Sequence, residues 1–203
     1  MAGILKEAPS LVILAVAVAC GPMARAASPN AAAPAPAQAA PPTGAAQVNA
    51  ERSVSSQDES FVRTAAEAGM SEVKEGELAM HKSPYPAIRE FGRWMMTDHT
   101  EIGQFLTSQA RAAGITVPAS ISESQQSLYD RLQKMSGSEF DKHYINHQVQ
   151  AHEQAVALFK TEASSGTDPG LRTLAERVMP VLEQHLAEAQ NLQKLLPRMS
   201  AQR

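Results

Sequence analysis

Three of the six histidines in this 203-residue chain fall in register with apolar residues at helical spacing. His99 shares a face with Gly92, Met95, Ile102 and Leu106, and His185 shares one with Leu171, Val178 and Leu192. His152 is in register with Ile145, Val149, Val156 and Phe159. Glu72 stands in a stripe of small residues, Ala65, Gly69, Gly76 and Ala79, that lets helices approach closely around it. Each of the four lies near the midpoint of its own expected helix, and midpoints stay level whichever way a helix runs. Glu72, His99, His152 and His185 are therefore expected at one height in a bundle core. Buried Glu and His groups need partners. They can hydrogen-bond one another and fix helix register, or they can bind a metal. One carboxylate and three imidazoles make a ligand set for a mononuclear zinc, copper or iron ion. Asp98 and Asp141, with Tyr144, are candidates to orient the imidazole N–H groups from outside that set.

The other histidines read differently. His81, His143 and His147 belong to the surface or its boundary, and His143 shares a face with Gln150 and Gln154. His143 and His147, spaced i,i+4, can bind metal adventitiously but lack the Glu of an H-E-x-x-H protease signature. There is no nucleophile–base arrangement and no Gly-rich phosphate loop. Aromatic residues are 4% of the chain, which argues against stacking-based sites. The net charge is −3 with both signs interspersed, and no basic stripe marks nucleic-acid binding. Met70, Met80, Met95, Met96, Met135 and Met179 recur at helical spacing and read as core filler rather than copper ligands. The single cysteine, Cys20, lies outside the helical region, so that region holds no disulfide and no thiolate-bound metal.

The elements that must position these residues are all helical. A first helix is expected over Asp58 to Lys82, ended by Ser83-Pro84-Tyr85-Pro86. A second runs from Pro86 to Ala113, with Gly114 as its C′ residue. Gly114 to Ser136 is a long connection holding a short amphipathic helix, with Ser122 and Ser124 as candidate N-caps. A third long helix spans Ser138 to Ser164. The fourth starts at the Asp168 cap and Pro169, contains Pro180, expected to kink it, and ends at Leu196 before Pro197. Four helices of roughly 25 residues and one long connection indicate an all-α four-helix bundle, with room for a ferritin-like crossover between the second and third.

Ahead of this domain, expected over residues 57–196, composition changes twice. Residues 1–26 carry an apolar run, Leu11 to Ala19, too short to span a membrane but suited to an export signal, followed by Ala24-Arg25-Ala26 as a cleavage site. The competing reading takes Ala17-Val18-Ala19-Cys20-Gly21 as a lipobox, with Cys20 acylated and the domain anchored to the outer membrane. Residues 27–56 form a Pro/Ala-rich tether with little to bury, expected to be disordered, and residues 197–203 a flexible tail. The mature chain is expected in the periplasm or secreted, with no transmembrane span.

The segments FVRTAAEAGMSEVKEGELA, MMTDHTEIGQFL, SGSEFDKHYINHQVQAHEQAVALF and VMPVLEQHLAEAQ resemble the bacterial exported DUF4142 domain family over residues 57–195. The matching positions are Glu72, Asp98, His99, Phe140, Asp141, Tyr144, His152, Pro180 and His185. The resemblance implies a ferritin-like bundle behind an export or lipoprotein signal, and it implies no activity. A di-iron oxidase would need two Glu-x-x-His motifs, but Met96 and Leu182 stand three residues before His99 and His185. Three functions follow, in descending order. The first is a metal- or small-ligand-binding envelope protein, the second a structural or interaction bundle without metal, and the third a metal-dependent redox enzyme of stress defence.

Overall fold

The computed structural model describes residues 54–201. The signal, its cleavage site, Cys20 and most of the tether lie outside them. Five helices follow in order: α1 (Ser56–Lys82), α2 (Pro86–Ala112), α3 (Glu123–Lys134), α4 (Gly137–Ser165) and α5 (Pro169–Ala201). Among the described residues there is no strand, and none of these helices is long and apolar enough to cross a membrane.

Local chemistry sets most of the ends. The Ser55 hydroxyl accepts from Asp58 N and starts α1. Pro86 opens α2 at its first turn, where a missing N–H costs nothing. Gly114, at φ +78°, supplies the left-handed residue after α2. Ser122, not Ser124, caps α3, in a reciprocal capping box with Gln125. Asp168 Oδ1 accepts from the N–H groups of Gly170 and Leu171 and starts α5.

The expected stop at Pro197 is corrected: α5 continues to Ala201, so residues 197–201 are helical. A proline removes the bond from its own nitrogen to the carbonyl four residues back, and its ring crowds that same carbonyl. For Pro197 that carbonyl belongs to exposed Gln193, and water can satisfy it. The same holds for exposed Pro180, whose partner carbonyl is on exposed Glu176, so α5 also runs through that position.

The four long helices form a ferritin-like bundle. The start of α1 meets the end of α4, where Phe61 and Phe159 pack edge to face at 5.0 Å, so the two run antiparallel. Gly170 at the start of α5 lies against Gln109 near the end of α2, and those two are antiparallel as well. The order is thus up, down, down, up, and the chain between α2 and α4 must travel the length of the bundle. It does so along α1: Lys74 Nζ donates to Gln126, and Lys82 Nζ donates to the carbonyls of Gln133 and Met135. α1 and α2 touch backbone to backbone at two glycines. A Cβ on Gly76 would stand 2.5 Å from the Gly92 carbonyl oxygen, and one on Gly92 would stand 2.7 Å from that of Gly76.

The apolar core falls into two parts. One, at the end holding the α4–α5 turn, gathers Phe61, Val62, Leu106, Phe159, Leu174 and Leu182. The other gathers Ile88, Phe91, Phe140, Tyr144, Ile145 and Leu192. Between them the core is crossed by buried polar residues: Glu72 and Glu75 on α1, His99 on α2, Gln148 and His152 on α4, and His185 on α5.

Candidate metal centre

Each long helix sends one of the four register-matched residues into this layer. His99, His152 and His185 are 5%, 0% and 1% exposed, and Glu72 is 3% exposed. The three rings form a nearly equilateral triangle. Their centres are 5.6 Å apart for His99–His152, 5.4 Å for His99–His185 and 5.3 Å for His152–His185. One ring nitrogen from each lies within 4.8 Å of one from each of the others. Among the described residues this is the one cluster of His, Cys, Asp or Glu with such spacing, and Glu72 is not part of it.

The two nitrogens of each ring are in different situations. His185 Nε2 is 2.8 Å from Asp98 Oδ2, to which it donates, while its Nδ1 has no partner. His152 Nδ1 donates to the Gln148 carbonyl at 2.9 Å, and its Nε2 has no partner. His99 Nδ1 is 3.1 Å from Glu72 Oε2, and its Nε2 has no partner. An oxygen on one nitrogen fixes the proton there and leaves the lone pair on the other. Each ring therefore has one nitrogen against an oxygen and one buried nitrogen with no partner, which for His99 is a lone pair when Glu72 is ionised. A buried acceptor left without a donor is destabilising by about 1–3 kcal/mol, which is why such groups are rare outside ligand sites.

The electrostatics agree. Burial, reinforced by His185 and His152, holds His99 well below the ordinary imidazole range. Burial, with His185 adding to it, lowers His152 to about 3. Both rings are neutral at physiological pH, the form that ligates metal. Burial, with Glu75 adding to it, pushes Glu72 well above the usual carboxylate range, so without a cation nearby its charge is disfavoured.

Glu72 reaches two of the rings: its Oε2 faces His99, and its Oε1, buried without a hydrogen-bond partner, is 3.7 Å from His152 Nδ1. Asp98, on the half-exposed side of α2, holds His185. Asp141 is buried, but it precedes His152 on α4 by eleven residues. That is about 16 Å along the axis, beyond hydrogen-bond reach of the ring. Tyr144 is buried in the neighbouring apolar region, stacked on Phe140 at 5.6 Å. His81 and His143 are exposed.

His147 is 28% exposed and reaches Glu75 Oε2 at 3.4 Å. Glu75, fully buried, also accepts from Ser71 Oγ at 2.7 Å and from Gln148 Nε2 at 3.0 Å. Sequence reasoning missed this second carboxylate and the Gln148 carbonyl. The spacing of Ser71, Glu72 and Glu75 places all three toward the core side of α1 and could have flagged the first. A backbone acceptor leaves no side-chain signal.

A family model described as a domain of unknown function, DUF4142, matches residues 43–192, and the chain belongs to that family. No curated protein matches it. Among solved structures it is similar to CopM in the Cu(II)-bound form, with a TM-score of 0.57 and 16% identity over 68% of this chain and 95% of that one. It is also similar to a DUF305 fragment from Deinococcus radiodurans, with a TM-score of 0.60 and 12% identity over 71% and 98%. CopM in the Ag-bound form gives a TM-score of 0.54 and 17% identity over 66% and 93%. At such identities the likeness shows a shared helical-bundle fold.

Proposed function

We propose that this DUF4142-family chain binds one transition-metal ion, copper before zinc or iron, on His99, His152 and His185. The observation that carries the reading is the division of labour on each ring, with one nitrogen against an oxygen and the other buried and unpartnered. The spacing fits as well. An ion about 2.05 Å from a ring nitrogen stands about 3.2 Å from the ring centre, so rings sharing one ion at tetrahedral to trigonal angles lie about 5.2–5.5 Å apart. The observed separations run from 5.3 to 5.6 Å. Glu72 and Asp98 then act through the rings they hold, and their two negative charges offset a divalent cation without entering its coordination. Imidazoles bind Cu(II) more tightly than the other divalent ions of the first transition row. The solved bundles of like fold include CopM forms with Cu(II), Cu(I) and silver bound, which favours the same metal here.

The test is metal content by mass spectrometry on the tag-free mature chain, alone and after incubation with copper, zinc and iron. About one ion per chain is expected, and none in a His99→Ala, His185→Ala double variant. Absence of metal from the parent after incubation would overturn the reading. It would favour the alternative, a structural or interaction bundle in which Ser71, Glu72, Glu75, His99 and Gln148 fix helix register through their mutual contacts. A redox enzyme remains a third reading, with no further observation behind it.

The site's placement outside the cytoplasm rests on the sequence. Leu11–Ala19 and Ala24-Arg25-Ala26 support export, the Pro/Ala-rich residues 27–56 support a tether, and Cys20 supports a lipid anchor as the alternative to release. Intact mass of the mature chain separates an N-terminus at Ala27 from an acylated Cys20.

A further inference from the structure

A cavity of about 970 Å³ lies between α1, α2 and the connection that leads into α3. Its walls are mainly apolar: Gly69 and Val73 from α1, Gly103 and Leu106 from α2, and Val117 and Ile121 from the connection. His99 lines it as well, so the cavity reaches the histidine layer. The glycines make this possible. A Cβ on Gly69 would already stand 3.9 Å from His99 Nδ1, and a longer side chain there would cover the ring. A Cβ on Gly103 would meet nothing within 4 Å, because it would project into the space itself. Two cations border the cavity, Lys74 and Arg111, against one carboxylate, Glu123. Lys74 is engaged with Gln126 and lies 4.9 Å from the ring centre of Tyr129. Arg111 is exposed, and its guanidinium makes no hydrogen bond or ion pair among the described residues.

We infer that this cavity is a binding site for a small anionic amphiphile, an apolar chain or ring system carrying one acidic head, whose anion lies near Arg111 and whose apolar end points toward His99. Its size and apolar walls with a few placed polar groups are those of small-molecule sites. Apolar walls that face solvent gain by burial against an apolar ligand. Occupancy needs no metal, so the site stands apart from the reading above.

The test uses the metal-free mature chain and two fluorescent probes: anilinonaphthalene sulfonate, which is anionic, and phenylnaphthylamine, its neutral relative. Saturable binding of both is expected, displaced by a long-chain fatty acid. Gly103→Leu, which projects an isobutyl group into the cavity, should weaken both probes at least about tenfold. Arg111→Glu, a change at an exposed and unpaired side chain, should weaken the anionic probe and leave the neutral one unchanged. Thermal melts of each variant distinguish a filled cavity from a loosened fold. Undiminished binding in a folded Gly103→Leu chain, no saturable binding to the parent, or equal responses of both probes to Arg111→Glu would overturn the proposal. Copper added afterwards should quench the bound probe only if the three-histidine reading also holds, so the two can fail separately.

Discussion

Two regions of this bundle bury polar groups, and they do so in opposite ways. At the α4–α5 turn, Asp58 is 2% exposed and each of its carboxylate oxygens accepts a backbone N–H: Thr167 N at 2.8 Å and Asp168 N at 3.0 Å. In the central layer, His99, His152 and His185 are as deeply buried, yet each keeps one nitrogen with no partner. Burial alone does not distinguish a structural polar group from a ligand. Saturation separates these residues: Asp58 spends both oxygens within the fold, and each layer histidine keeps one nitrogen back. Removing Asp58 strands two backbone donors, whereas removing a layer histidine strands none.

The largest effect is therefore expected at the saturated site. Asp58→Ala should lower the unfolding free energy by about 3 kcal/mol or more, because two N–H groups lose their acceptor. Urea denaturation measures this, and metal content should not change. A small loss would mean that water replaces the carboxylate at the turn, and the contrast would weaken.

Next comes a residue that belongs to the layer without supplying a lone pair to it. Asp98→Asn should reduce copper affinity by about 10–100-fold, since it removes the carboxylate that orients and enriches the His185 ring. The side chain of Asp98 is 31% exposed, so metal-free stability should change little. Isothermal titration with a competing chelator gives the first quantity and thermal melting the second. An unchanged affinity would detach Asp98 from the site.

The third test bears on the comparison directly. His152→Leu keeps the volume, removes an unpartnered nitrogen and gives up one bond to a carbonyl already inside α4. In the metal-free chain it should shift the unfolding free energy by less than about 1.5 kcal/mol in either direction. It should also abolish the metal-dependent rise in melting temperature that a tight ligand confers on the parent. A loss as large as that of Asp58→Ala would show the layer to be structural after all.

How far the sequence could lead is visible in these residues. Helical periodicity identified the buried face of α2 residue by residue, from Ile88 through His99 to Ala110, because a two-sided helix in a bundle has little freedom to turn. It placed Glu72, His99, His152 and His185 on inward faces for the same reason. Periodicity carries no information about which atom of a side chain faces which neighbour. That Glu72 faces the Nδ1 atoms of His99 and His152, and that the Gln148 carbonyl holds His152, follow from side-chain torsions set by packing. Asp58 and Glu162 sit near helix ends, where solvated carboxylates are common, and only the path of the α4–α5 turn buries them. The cavity beside His99 depends on where the connection crosses α1, which local patterns do not specify. Pro197 misled because the rule against proline concerns a bond, and at an exposed final turn that bond is dispensable.

A dependence on pH is expected beside Asp58. Glu162 is buried there, with Gln57 Nε2 donating to its Oε2 at 3.4 Å and Gly166 packed against it. Burial is the main cause that lifts its carboxyl to about 7, with the charge of Asp58 contributing and the Gln57 bond opposing. In the unfolded chain the same group titrates near its ordinary value of about 4.3. Below that value both states hold the proton and the group does not affect stability. Between about 4.3 and 7 the unfolded chain releases the proton while the native chain retains it, so stability falls as pH rises through this window. Above 7 both are ionised, and the destabilisation stays constant. Glu162→Gln keeps an acceptor for Gln57 and removes the titration. The variant should match the parent near pH 4 and become progressively the more stable of the two up to about pH 7. Beyond that the difference should level off, as read from paired urea titrations at several pH values. A difference that does not change with pH would show the Glu162 carboxyl to be solvated, leaving Asp58 as the one buried carboxylate at that turn whose role the comparison rests on.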